Sequence, residues 1–193
     1  LPEAVAKERY GDLLTIASLG AIVKMVDEDG EVIEVRVIHD GTNGVDINRF
    51  IKVLDGALFP LAADVKAALR MQAARCRPHW GMTVDIKGAH RLVAVRRKDW
   101  PLIACQVHEG GEVYIDEVGT FGVSSASYWW GRLAAAMQRI GLRIVSSLWA
   151  LWVMLFADDY DLTGEGSTYR EALLGFIWWL VVLGAPLSWK KSR

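Results

Sequence analysis

Three aspartates are spaced so that folding could gather them. Asp85 follows the short strand-like run Met82–Val84, and Ala157-Asp158-Asp159 separates the apolar run Leu151–Phe156 from Tyr160–Leu162. Strand, tight turn, strand is the natural reading of the second pattern, and Met82–Ile86 reads as a strand ending on an acid. If these strands are neighbours, all three carboxylates reach one sheet edge. Clustered there in a poorly solvated place, they would repel one another by on the order of a few kcal/mol, and a divalent cation relieves that repulsion. Magnesium suits such donors: it prefers hard oxygens, keeps several waters, and is commonly shared between carboxylates and substrate phosphates. Two such ions could activate a hydroxyl and stabilise a leaving pyrophosphate in an in-line displacement at phosphorus. An Asp-Asp turn alone is also what an ordinary solvated turn uses, so the surrounding residues must decide.

Charge along the chain is segregated. Between Val65 and Lys98 the cations Lys66, Arg70, Arg75, Arg77, Lys87, Arg91, Arg96, Arg97 and Lys98 face only Asp85, while Asp158, Asp159, Asp161 and Glu165 gather later. The net charge of −1 excludes a strong overall field for a polyanion, so nucleic-acid binding would rest on that local patch. A charge run by itself more often solvates a surface. Cys76 and Cys105 cannot build a disulfide framework, which fits a reducing, intracellular compartment, cytoplasmic or nuclear. Two residues separate Cys76 from His79 and Cys105 from His108, the spacing of zinc ligands, but an i, i+3 pair in a strand-like run points to opposite faces and zinc is not expected.

The elements that would position these groups are legible from pattern. Ala17–Met25 and Glu31–His39 are β-rich runs around a Gly-containing turn. Leu61–Ala74, after Pro60, has helical spacing in Val65, Leu69 and Ala73. Trp100–His108 and Glu112–Glu117 flank Gly110-Gly111 as a second hairpin, Ser124–Leu142 carries an apolar helical stripe, and Thr168–Leu183 reads as a helix. With 193 residues, 52% of them hydrophobic, there is material for one large domain or two lobes. Interspersed strands and helices predict an α+β fold, with helices on one face of a mainly antiparallel sheet. The apolar stretches Ile144–Ala157 and Leu173–Leu187 fall short of the roughly 18–20 residues of a membrane span. A membrane-associated helical hairpin with a belt of Trp149, Trp152, Trp178 and Trp179 is nonetheless a non-enzymatic alternative.

At this point the sequence resembles a known family over nearly its whole length. Asp85-Ile-Lys-Gly-Ala-His-Arg resembles motif A of reverse transcriptases, in the version found in long-terminal-repeat retrotransposons. Thr120-Phe-Gly-Val-Ser-Ser-Ala-Ser resembles motif B, Phe156-Ala-Asp-Asp the Tyr/Phe-x-Asp-Asp box of motif C, and Leu183-Gly-Ala-Pro-Leu-Ser-Trp-Lys-Lys motif D. Each match is loose, but their joint order is specific. The resemblance implies a polymerase palm whose antiparallel sheet is backed by helices, plus a fingers β-hairpin, with fingers at 1–80 and palm at 81–193, interleaved around 95–120. It implies an RNA-directed DNA polymerase that uses two Mg2+ ions, or Mn2+, held by Asp85, Asp158, Asp159 and the carbonyl of Ile86. Lys24 and Arg36 would grip triphosphate, His90 would sit at the sugar gate, Phe121 and Gly122 would line the nucleotide site, and Lys191, or else Lys190, would donate a proton to pyrophosphate. His90 departs from the family's Tyr or Phe, and Thr120 and Ser127 replace the flanking prolines of motif B.

Expected partners are an RNA or DNA template-primer duplex, deoxynucleoside triphosphates and the remainder of a polyprotein, with no membrane. The chain begins with Leu1 and stops at Arg193, so a fragment without thumb or RNase H is expected, weakly processive, with apolar surface at Trp178 and Trp189. An inactive nucleic-acid-binding remnant, or an RNA-directed RNA polymerase palm, are the alternatives within this resemblance.

Overall fold

Turn chemistry closes the first hairpin. Asp27 Oδ1 accepts the backbone N–H groups of Asp29 and Glu31 at 3.1 and 2.8 Å, and Gly30 takes the positive φ of 85° that the return requires. The flanking strands β1 (Ile16–Val26) and β2 (Val32–His39) pair antiparallel from Leu19↔His39 to Val26↔Val32, with an irregular register around Lys24. β1 also pairs in parallel with β4 (Ala104–Gln106), which runs antiparallel to β5 (Val113–Ile115), giving the order β2-β1-β4-β5. Helix α1 (Glu3–Tyr10) seats Ala6 with Ala104 and Val113 in a small core packed by Leu14, Ile16 and Ile115. Towards its tip the hairpin leaves Ile22, Val23, Met25, Val26, Val32, Ile33, Val35 and Val37 about half exposed.

The computed structural model describes residues 1–75 and 79–190, and it divides the chain into two units. These strands belong to the first, Leu1–Asp55 with His90–Trp129, which also holds the short helix α2 (Ile47–Phe50). The second unit is Gly56–Ala89 with Trp130–Arg193. Each is built from two stretches of chain, and the segment at 95–120 lies wholly in the first.

The second unit is organised on a three-stranded antiparallel sheet, β3 (His79–Asp85), β7 (Asp159–Glu165) and β6 (Leu151–Phe156), in the order β3-β7-β6. Pro60 precedes α3 (Ala62–Ala74), and Asp64 Oδ2 accepts the N–H of Leu61 at 2.7 Å to satisfy its first turn. Helix α4 (Ser124–Val145), from Trp130 onward, buries Trp130, Ala134 and Met137, and α5 (Tyr169–Val182) buries Ala172, Leu173, Phe176, Ile177 and Leu180. Polar contacts fix the packing. The fully buried Tyr160 hydroxyl donates to Ala134 O at 2.9 Å, and Trp179 Nε1 donates to Met137 O at 2.9 Å. Gly141 is a close-approach position, because a Cβ there would run into the Trp179 indole.

The α+β class, with antiparallel sheet backed by helices, is therefore as expected, but the described residues form two sheets and include one parallel pairing. Two local expectations are corrected. Arg97–Ile103 is a 3₁₀ helix, because Pro101 has no N–H to give to a strand ladder and fixes a φ compatible with a helical turn. The stretch Ile144–Ala157 is the end of α4, a bend and β6, so it cannot be one arm of a helical hairpin. Among the described residues no helix is long and apolar enough to cross a membrane.

Candidate active site

Ladder register carries Asp85 to its position. In the β3–β7 pairing Asp85 lies directly opposite Asp159, and Phe156 opposes Asp159 from the other side through β6. The connection between β6 and β7 is only Ala157-Asp158, with Ala157 in the left-handed region at φ 54°. An alanine held there costs roughly 1 kcal/mol, and its neighbours hold it. Trp130 Nε1 donates to Ala157 O at 3.0 Å, and Ile86 N donates to Asp158 O at 3.0 Å, tying the end of β3 to the turn. On the other side of β3 the segment Pro186–Ser188 pairs with the same corner: Lys87 N donates to Pro186 O at 2.7 Å, Ser188 N to Asp85 O at 2.8 Å, and Ile86 bridges to Leu187.

Asp85, Ile86, Asp158 and Asp159 thus share one end of one sheet. Asp85 is 7% exposed, whereas Asp158 and Asp159 are half-buried. The other acids of that stretch are occupied elsewhere: Asp161 accepts the Thr83 hydroxyl at 2.7 Å, and the buried Glu165 pairs with Arg75 at 2.8 Å. Among the described residues, the group whose three ligand atoms all come within 4.8 Å of one another is His39, Cys105 and Asp116. The backbone collects the three aspartates without drawing their oxygens into an equally tight set.

Within the first unit, three residues singled out from the sequence come together. His90 packs on the Phe121 ring at 4.7 Å between centroids, and the Arg36 guanidinium lies over the same ring at 5.1 Å. Gly122 follows at φ 95°, and a Cβ there would strike the carbonyl of His39, so the fold itself demands glycine at this turn. Asn48 had no sequence signal, yet its amide clamps the turn. Its Nδ2 donates to Gly122 O at 2.7 Å, and its Oδ1 accepts Ser124 N at 2.9 Å at the start of α4. A cavity of about 330 Å³ is lined here by Asn48, His90, Phe121, Gly122 and Ser127, among others.

Lys24 stands apart from that group. It makes an exposed ion pair with Glu34 at 2.8 Å across the hairpin. Lys190 is exposed, and Lys191 lies outside the described residues, as does Cys76. The basic run is divided between the units, Lys66, Arg70, Arg75 and Lys87 in the second and Arg91, Arg96, Arg97 and Lys98 in the first, with Arg77 outside the described residues. Trp178 and Trp189 are each nearly two-thirds exposed beside an apolar groove.

No family model and no curated protein matches the sequence. Among solved structures, the chain is similar to a foamy viral protease-reverse transcriptase determined with double-stranded DNA, with a TM-score of 0.60 and 14% identity. The match covers 91% of this chain and 28% of the viral one, so the chain spans little more than a quarter of that protein. Likeness at this identity concerns the backbone alone, and on that basis the chain has a reverse-transcriptase-like fold.

Proposed function

We propose that this chain is the fingers-and-palm part of a reverse transcriptase of the retrotransposon type, an RNA-directed DNA polymerase acting on a template-primer duplex and deoxynucleoside triphosphates within a larger polyprotein. The observation that carries the reading is the register that sets Asp85 opposite Asp159, with Asp158 at the adjoining turn, in a chain of this fold. The donor set fits magnesium: hard oxygens at one sheet edge, with neither thiolate nor imidazole among them. A pair of such ions, each retaining waters and sharing substrate phosphates, is the arrangement this reading calls for. Bound there, the two ions would supply charge neutralisation and activation of the primer hydroxyl.

The protein's own groups do the rest. Asp85, Asp158 and Asp159 would hold the metals, with the carbonyl of Ile86 as a further ligand. Arg36 and Lys24 would offer cations to the triphosphate, which requires Lys24 to release Glu34. His90, stacked on Phe121, would limit the space beside the sugar. Lys191 or Lys190 would serve as proton donor to pyrophosphate.

Primer extension on poly(rA) with Mg2+ or Mn2+ tests this. Asp158→Asn should lower incorporation by on the order of a thousandfold or more while leaving the circular dichroism spectrum intact. Equal incorporation by both proteins, or none by either, would refute the catalytic assignment.

A further inference from the structure

We propose that His39, Cys105 and Asp116 form a transition-metal site, best matched to Zn2+, at the foot of the β1–β2 hairpin. His39 is the last residue of β2, Cys105 sits in the middle of β4, and Asp116 directly follows β5, so one sheet brings the three together from distant stretches of sequence. Their ligand atoms all lie within 4.8 Å of one another. Around a tetrahedral ion with bonds of about 2.0–2.3 Å, donors stand roughly 3.5 Å apart, a contraction that small side-chain rotations supply.

A second observation points the same way. His39 is 1% exposed, and neither of its ring nitrogens has a hydrogen-bond partner among the described residues. Burying an imidazole in that condition is costly, and a bond to metal would give one nitrogen a partner. The nearest group is the Asp116 carboxylate, whose Oδ2 lies 3.8 Å from Nδ1, while its Oδ1 lies 3.7 Å from the mostly exposed Arg91. Cys105 is 6% exposed, which argues against a nucleophile for an external substrate and for a structural thiolate. Thiolate, imidazole and carboxylate are a borderline-soft set that selects zinc or cobalt over magnesium, with a water completing four-coordination. Because His39 also accepts the close approach of Gly122 and donates its N–H to Phe121 O at 3.0 Å, the ion would lock the hairpin base and that turn as one piece.

The test uses the whole chain, stripped of metal and titrated with ZnCl2 or CoCl2. One equivalent should bind, the cobalt form should show a thiolate-to-cobalt charge-transfer band, and zinc should raise the melting temperature. Cys105→Ser should abolish the band, and His39→Asn should weaken zinc binding by on the order of a hundredfold. Cys76→Ser and Asp158→Asn should change neither, which separates this site from the other cysteine and from the aspartate edge. A band that survives Cys105→Ser, or that disappears with Cys76→Ser, overturns the assignment. Should the Cys105 or His39 variant fail to fold, X-ray absorption on zinc-loaded Cys76→Ser protein decides, since Cys105 is then the sole sulfur donor from cysteine: a sulfur neighbour supports the site and its absence sinks it.

Discussion

The two units place their chemistry by different means. In the second, the acids are carried by strands in register, so the identity of one backbone pair, Asp85↔Asp159, fixes where the candidate site lies. In the first, Arg36, His90, Phe121 and Gly122 meet through a turn, an amide clamp and a ring stack, none of which repeats along an element. A ladder tolerates single changes because its neighbours maintain it, whereas a turn built on one close approach depends on that approach.

That contrast can be broken at its weakest point. Gly122→Ala adds a methyl group where the His39 carbonyl sits and forces an alanine to φ 95°, so urea unfolding should show a loss of about 2–4 kcal/mol. A loss under about 0.5 kcal/mol would mean that the turn relocates freely and that the first unit is less tightly specified than its contacts indicate. Tyr160→Phe probes the ladder side. It removes one buried hydroxyl and leaves Ala134 O without that donor, and about 1 kcal/mol should be lost with incorporation nearly unchanged, because the ring still fills its place beside Phe176. The smallest effect is expected at Lys24→Ala. Its exposed pair with Glu34 contributes within about 0.5 kcal/mol, so stability should hold while the KM for nucleotide rises. An unchanged KM would remove Lys24 from the triphosphate site.

What could be read from the sequence was the locally determined part of each unit. Hairpins announced by Val-Asp-Glu-Asp-Gly and by Ala-Asp-Asp were legible because turn residues and period-two apolar runs agree locally, and with them came the corner that holds the acids. Parallel pairing of β1 with β4 was not legible, since no helix-length crossover pattern announces it. The run from Ile144 to Ala157 was ambiguous for a different reason: short apolar stretches read equally as buried helix or strand until packing chooses. Spacing could not reveal the neighbours of Cys105. Its local companion His108 suggested a ligand pair, while the partners that fold beside it, His39 and Asp116, are set by sheet topology. Burial pushes the Cys105 thiol up to about 11, with a smaller contribution from Asp116, so in metal-free protein it should resist alkylation at neutral pH and react once unfolded.

The long β1–β2 ribbon has a practical consequence. β2 is the outermost strand of its sheet, bears apolar side chains on both faces, and its sequence Val32–His39 interrupts them only with Glu34 and Arg36. Such a border is a template on which a second molecule could lay its own strand, so this is where self-association of purified protein should start. Placing a lysine at Val35 or Val37 is accordingly the first remedy for anyone handling the protein at millimolar concentration.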